Sequence, residues 1–450
     1  MLNSLYQLKS SCCKIYVFFR SFFDEICTKP TANTLTLMVL SMIVVEGVDS
    51  VRCVFRHYFS KLTDKSLNSM YYALSYANIE CEALLEIITK RAVTVIPESL
   101  STLPVFLCVD DTMIQKFGKK FDNVAKLFDH ARHDGKNYIN GHCFVSLMIC
   151  VPIWSGDTFF YNSIPVGYKM WIKDGKSKLE LSAQMIQRVM PHLSDRRNVI
   201  VLCDSWYAKK PLFDLTTHYQ NLDLICNARI DTVLYDLPPA PTGKKGRPAK
   251  HGNRITLEMF HLSDDKIGDY HVGTRKVMTN LLKWEAMDAF VTAPEKEDGQ
   301  RRLFLSTISA ARIQMFCAWY EKAPLNQTGS SRMMYIPYML YSLRWNLEVS
   351  YLEQKTFWSL TRYMVRKQKG IEMLINLISL SYAGMKLLPL VDPEFEKYKK
   401  SSPQEIRFFI SQEIQEEVFM ASLLDYPQVD INSAPIQAWL ASKGRLNHAA

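Results

Sequence analysis

VFLCVDDT, residues 105–112, is a run of five apolar residues closed by two adjacent acids. A short apolar run bounded by polar residues reads as a strand buried on both faces. The pattern therefore puts Val105–Val109 inside a sheet, with Asp110 and Asp111 at its end. VIVLCDSWY, residues 199–207, repeats the arrangement with Asp204. Carboxylates at the ends of apolar strands lie at the rim of an open α/β sheet, where such folds bind their ligands. An aspartate in this position is more often an ordinary turn former or helix N-cap, so neither motif alone defines a site.

Outward from these strands the pattern alternates. Further β-rich runs cover His142–Trp154, Thr158–Tyr168 and Leu222–Ile230, and helix-like segments cover Lys178–Leu193 and Lys210–Tyr219. Strands interleaved with helices predict an α/β domain with a mixed sheet. Apolar residues at helical spacing through Tyr16–Ile26, Leu35–Val54 and Met70–Ile88 make the N-terminal region all-α. A Pro/Gly-rich stretch, LPPAPTGKKGRPAKHGNR, opens a β-rich insertion with strand-like pieces at Tyr270–Val277 and Ala289–Thr292. The α/β pattern resumes at Arg302–Ser309. Helices are then predicted over Ala311–Lys322, Ile336–Trp358, Ile371–Leu388 and Pro403–Leu424. The expected division is 1–98 (helical, for DNA binding or dimer contact), 99–231 and 301–391 (the two parts of the α/β core), 232–300 (the insertion) and 392–450 (a helical tail).

With 450 residues, 48 % hydrophobic and 22 % charged, the chain has ample material for a core and is excluded from the disordered classes. Its 54 Lys+Arg exceed 45 Asp+Glu by nine, and residues 101–400 alone carry 41 against 30. A basic centre hints at a polyanionic partner. The 11 cysteines include no Cys-x-x-Cys pair and several sit in apolar runs, which suits buried thiols in a reducing compartment. Near the N-terminus the longest apolar run, Leu35–Val45, is shorter than the ~20 residues that span a bilayer. No signal peptide is evident, and the expectation is a soluble cytoplasmic protein without a membrane partner.

YSLRWNLEVSYLEQK, residues 341–355, is more specific. At about 100° per residue, Tyr341, Arg344, Glu348 and Lys355 share an arc of about 60° along about 21 Å of helix. A solvated face with an Arg344–Glu348 ion pair would give the same spacing. The apolar remainder, Leu343, Trp345, Leu352, Phe357 and Trp358, instead indicates a helix packed on several sides, with this stripe facing something particular.

The spacing Tyr-x2-Arg-x3-Glu-x6-Lys resembles the signature of bacterial insertion-sequence transposases with a DDE catalytic triad. The resemblance extends through VDDT, DHARHDGKNYINGHCFVSL, CDSWYAKKPL, ICNARIDTVLYDLPP and GKKGRPAKHG, and so covers about residues 100–390. It implies a ribonuclease H-like mixed sheet interrupted by a β-rich insertion, with Asp111, Asp204 and Glu348 as catalytic and metal-holding residues. Of the adjacent pair the resemblance selects Asp111, directly before Thr112, and Asp110 is the alternative. The implied cofactor is Mg²⁺, as two ions, with Mn²⁺ able to substitute; paired ions of this kind activate the attacking oxygen and stabilise the leaving one. Tyr341, Arg344 and Lys355 would contact phosphates beside the scissile bond, Arg344 as a bidentate fork and Lys355 as a point charge.

Some relatives pass through a DNA hairpin with one base flipped out, and Trp284 is the candidate wedge, although a strand tryptophan is more often core. Lys244, Lys245, Arg247 and Lys250, in a stretch with five Lys/Arg and no acid, would contact DNA phosphate, or form a solvated loop. Lys116, Lys119, Lys120, Lys209 and Lys210 would border the site, while the spacing of His130, His133 and His142 fits no zinc pattern. The implied function is cleavage at the inverted-repeat ends of the chain's own element and strand transfer into target DNA, by a homodimer on double-stranded DNA near the nucleoid. The alternatives are a transposase-derived DNA-binding protein without catalysis and a ribonuclease H-like metal-dependent nuclease.

Overall fold

The computed structural model describes residues 11–47, 50–118, 120–129, 137–194, 197–240, 249–293, 300–314 and 334–424, together with 430, 433, 434 and 438. Lys119, His130, His133, Lys244, Lys245, Arg247 and most of the helix expected at Ala311–Lys322 lie outside the described residues.

The architecture is α/β, built on a mixed sheet with eleven strands among the described residues. Its first half comprises β1 (Val105–Gln115), β2 (Ala125–Phe128), β3 (Tyr138–Ser155), β4 (Thr158–Trp171), β5 (Val199–Cys203) and β6 (Leu222–Ala228). β1, β3 and β4 form an antiparallel meander, and β5 and β6 run parallel to β1, giving the local order β4-β3-β1-β5-β6. The parallel pairs need crossovers. Helices α5 (Lys178–Val189) and α6 (Lys210–His218) supply them. Ser177 starts α5 with a reciprocal capping box to Glu180, so the entry to that crossover is locally encoded.

Beyond β6 the sheet continues through β11 (Arg302–Ser306), β10 (Ala286–Ala293), β9 (His271–Met278), β7 (Leu234–Tyr235) and β8 (Arg254–Ile255). The strands between 232 and 300 thus extend the same sheet, because β11 pairs with β6 on one side and with β10 on the other.

The helical N-terminal segment contributes α1 (Ser11–Arg20), α2 (Lys29–Val44), α3 (Leu67–Ser75) and α4 (Cys81–Thr94). After the sheet come α7 (Trp345–Phe357), α8 (Gln368–Val391) and α9 (Pro403–Leu424). α8 is apolar on all sides because it is central, packing on β4, α2, α3, α4 and α9. It is long and apolar enough to cross a membrane, yet most of it is buried inside the fold. A Cβ on Gly384 would stand 2.4 Å from the Phe19 ring, so a glycine is needed where α1 meets α8. Two buried polar residues fix α8 to β4. Asn376 accepts from Tyr168 N at 2.8 Å and donates to Tyr168 O at 3.0 Å, and Glu372 accepts from Met170 N at 2.9 Å. These bonds lie beside the irregularity at Leu147/Met148, where β4 holds one extra residue and Pro165, which has no N–H, is accommodated.

Candidate active site

The first strand is longer than its apolar run suggests. β1 continues to Gln115, so Asp110 and Asp111 sit within the ladder, opposite Ser146 and Val145 of β3. It is the neighbour β5 that stops, with Cys203 opposite Val109. Asp110 and Asp204 therefore stand side by side where a parallel pair opens. Successive strand residues face opposite sides of a sheet, and the two adjacent acids separate accordingly.

Asp111 faces α5 and is fully engaged. Its Oδ2 accepts from Lys178 Nζ at 2.8 Å and from Cys143 Sγ at 3.1 Å, and its Oδ1 accepts from Tyr207 OH at 2.9 Å. Asp110 faces the helix that carries Glu348. Its Oδ2 accepts from Arg344 Nη1 at 3.2 Å, and its Oδ1 accepts from the Asp111 N–H at 2.8 Å. Arg344 Nη2 donates to Glu348 Oε1 at 2.5 Å, so one guanidinium joins the strand acid to the helix acid. Arg344 Nε is buried and has no partner among the described residues.

Burial, followed by the charge of Asp204, pushes the Asp110 carboxyl up to about 7. Asp204 is raised by burial too, although the N–H groups of Tyr207 and Trp206 and the Arg344 charge oppose the shift. Its Oδ1 accepts from Trp206 N at 3.0 Å and Tyr207 N at 3.2 Å, the bonds by which an aspartate forms a turn after a strand. For Arg344 burial works against the charge, but Tyr341, Glu348 and Asp110 outweigh it and hold the guanidinium above its ordinary value.

A carboxyl raised on folding retains a proton that the unfolded chain gives up, so stability falls as pH rises from about 4 towards 7. With allowance for relaxation around the site, the loss should be about 2 kcal/mol. Urea unfolding at pH 5 and pH 8 without divalent ions should reveal it, and Asp110→Asn should flatten the difference.

The stripe expected along one continuous helix is broken. Ile336–Leu340 is α-helical, Tyr341–Arg344 is a 3₁₀ turn, and α7 begins at Trp345. Tyr341 packs edge-on against Phe304, with its ring centroid 5.8 Å from the Arg344 guanidinium. Lys355 lies two turns beyond Glu348, about 10 Å along the axis. Burial lowers its pKa, Asp129 opposes that shift, and its ammonium is 5.9 Å from the Tyr351 ring centroid.

The structure thus gathers Asp110, Asp204, Tyr341, Arg344 and Glu348, and places Asp111 on the opposite face. Trp284 is elsewhere, after β9, stacked on His251 at 4.6 Å and near Tyr235 at 5.6 Å. Lys250 is exposed. Lys116 does not border the acids: it is buried and donates to Thr361 O and Tyr363 O, both at 2.8 Å. Buried His142 bonds to Tyr363 OH at 2.5 Å and Asp122 O at 2.9 Å.

Lys178, Cys143 and Tyr207, the partners of Asp111, are not among the site residues that the sequence motifs single out. The capping box at Ser177–Glu180 was the available signal for the first, since it marks a helix start at Lys178.

Asp110, Asp204 and Glu348 are hard oxygen donors, a chemistry that suits Mg²⁺ or Mn²⁺. Among the described residues, however, no three acid, His or Cys side chains converge closely enough to hold a metal ion. Glu348 is instead engaged by Arg344.

A family described as DDE superfamily endonuclease matches residues 172–274. The match supports a DDE-type, transposase-like nuclease, with DNA as the implied substrate. It contains Asp204, β5, α6 and β6, but reaches neither Asp110 nor the 341–355 helix. No curated protein matches the chain.

Proposed function

We propose that the chain is a DDE-type DNA transposase with a ribonuclease H-like core, the strand order β4-β3-β1-β5-β6, and that its catalytic acids are Asp110, Asp204 and Glu348. The observation that carries this reading is Arg344 joining Asp110 of β1 to Glu348 of α7, beside Asp204 at the end of β5. An isolated ion pair on a helix surface would not need two half-buried acids, one in β1 and one just after β5.

For these three acids to hold divalent metal, Arg344 would have to release Glu348 so that the carboxylates converge; the metal would then supply an activated attacking oxygen and stabilise the leaving one. Arg344 orients Glu348 and has an unpaired buried Nε–H with which to meet a phosphate oxygen. Tyr341, packed on Phe304, fixes the position of the guanidinium. Lys355 adds positive charge two turns along the same helix. Asp111 serves as an anchor, tying β1 to α5 through Lys178 and to the Asp204 turn through Tyr207. A wedge role for Trp284 would require its ring to leave the His251 stack. The basic segment 243–254 would track DNA phosphate, and handling both ends of one element would bring two copies together on DNA, at the bacterial nucleoid.

The test uses a linear duplex carrying the element's terminal repeats, with Mg²⁺ and purified full-length chain. The expected result is cleavage at the repeat ends leaving 3′-OH groups, abolished in Asp204→Asn while duplex binding persists. Retained cleavage in that variant would overturn the assignment. Cleavage indifferent to the repeats would favour a simple metal-dependent nuclease.

A further inference from the structure

A second polar site lies at the opposite end of the sheet. The tip of the β3–β4 hairpin, the last turns of α8 and the start of α9 enclose a cavity of about 320 Å³. Ile153 on its wall is seven residues along β3 from Ser146, the partner of Asp110, or about 23 Å at ~3.3 Å per residue. Its occupant therefore cannot be the scissile phosphate.

The polar lining consists of Ser155, Asn162, Ser401 and three lysines, Lys386, Lys399 and Lys400, with no carboxylate among the lining residues. Lys386 is half-buried, and desolvation lowers its pKa against the attraction of Glu353 and Cys150. Among the described residues its ammonium makes no hydrogen bond or ion pair; the Tyr382 ring is 5.7 Å away, and the Tyr382 hydroxyl is itself bonded to Glu353 at 2.5 Å. Lys399 and Lys400 enter from the segment between α8 and α9. The acid next along the chain, Glu405, is occupied in capping α9, accepting from Ser402 N at 2.8 Å and Ser402 Oγ at 3.1 Å. The positive end of the α9 dipole adds to the lysines.

Three ammonium groups around a partly apolar cavity repel one another unless an anion neutralises them. The contrast lies within the same molecule: a cavity of about 410 Å³ between α4, α5 and β4 sets Lys169 and Arg188 against Glu80 and Glu82. That site is balanced, and the lysine cavity is not.

We propose that the lysine cavity binds a phosphate group, either from the DNA backbone or from a free phosphate compound. The inference is independent of the cleavage reading, since it requires none of the three acids.

The probes are pyrophosphate, by titration calorimetry, and a random-sequence 30-base-pair duplex, by anisotropy over a salt series. The variants, both in the full-length chain, are Lys399→Ala/Lys400→Ala, at the mouth, and Lys386→Met, inside. Wild type should bind pyrophosphate, and both variants should weaken it by about tenfold, roughly one lost charge-assisted contact. If duplex affinity also falls and the double variant's salt slope drops by about two, the natural ligand is a backbone phosphate. If duplex binding is unchanged, it is a free phosphate compound. The inference is overturned if wild type binds no pyrophosphate, or if both variants bind both probes as wild type does. The mouth variant keeps the test valid should Lys386→Met fail to fold.

Discussion

Asp110→Asn should cost on the order of 10³-fold in single-turnover cleavage, whereas Asp111→Asn should leave cleavage within about tenfold of wild type. The first substitution removes the carboxylate that shares Arg344 with Glu348 and stands beside Asp204. The second removes a carboxylate already held by Lys178, Tyr207 and Cys143, and should lower stability by about 1–3 kcal/mol because those donors lose their acceptor. Paired measurements of cleavage rate and urea midpoint separate the two residues. If Asp111→Asn loses cleavage and Asp110→Asn keeps it, the first acid is Asp111, as the Asp-Thr resemblance implies.

Arg407→Met should destabilise the fold by on the order of 3–5 kcal/mol, read as a shift in the urea midpoint. Arg407 is buried on α9 and has no ion pair among the described residues. Its guanidinium donates to Met42 O, Ile43 O and Val45 O, each at 3.0 Å, at the end of α2, and to Phe357 O at the end of α7. Burial alone lowers its pKa, to about 10, with Glu46 opposing the shift. A cation at two helix C-termini satisfies carbonyls that have no helical donor, and it interacts favourably with both dipoles. Removing it leaves buried acceptors orphaned. Because α7 carries Glu348, cleavage in this variant should fall further than the unfolded fraction explains. A midpoint shift below about 1 kcal/mol would show that water replaces the guanidinium.

Element type was readable wherever periodicity and local chemistry agreed. The apolar runs at 105–109 and 199–203 are strands, and the long apolar pattern at 371–388 is a helix extending three residues further at each end. Hydrophobicity does not give an element's length where strand pairing sets it. β1 runs six residues past Val109 because β3 continues to pair with it, and polar Asp110 and Asp111 remain in the ladder. The helical wheel for Tyr341–Lys355 assumed one regular helix. The 3₁₀ turn at 341–344 breaks that regularity, yet Arg344 and Glu348 still meet because their i,i+4 spacing is local.

By itself the sequence determined which chemistry was available: acids beside apolar strands, a guanidinium four residues before a glutamate, and a basic centre. It could also state that adjacent strand residues face opposite ways, since that follows from backbone geometry alone. Which of Asp110 and Asp111 faces Glu348 was decided only by tertiary structure. The choice depends on which side of the sheet α5 and α7 cover, a contact made between residues 67 positions apart for Lys178 and 234 apart for Arg344. No local pattern encodes that side, because the same alternation is satisfied whichever helix packs on whichever face.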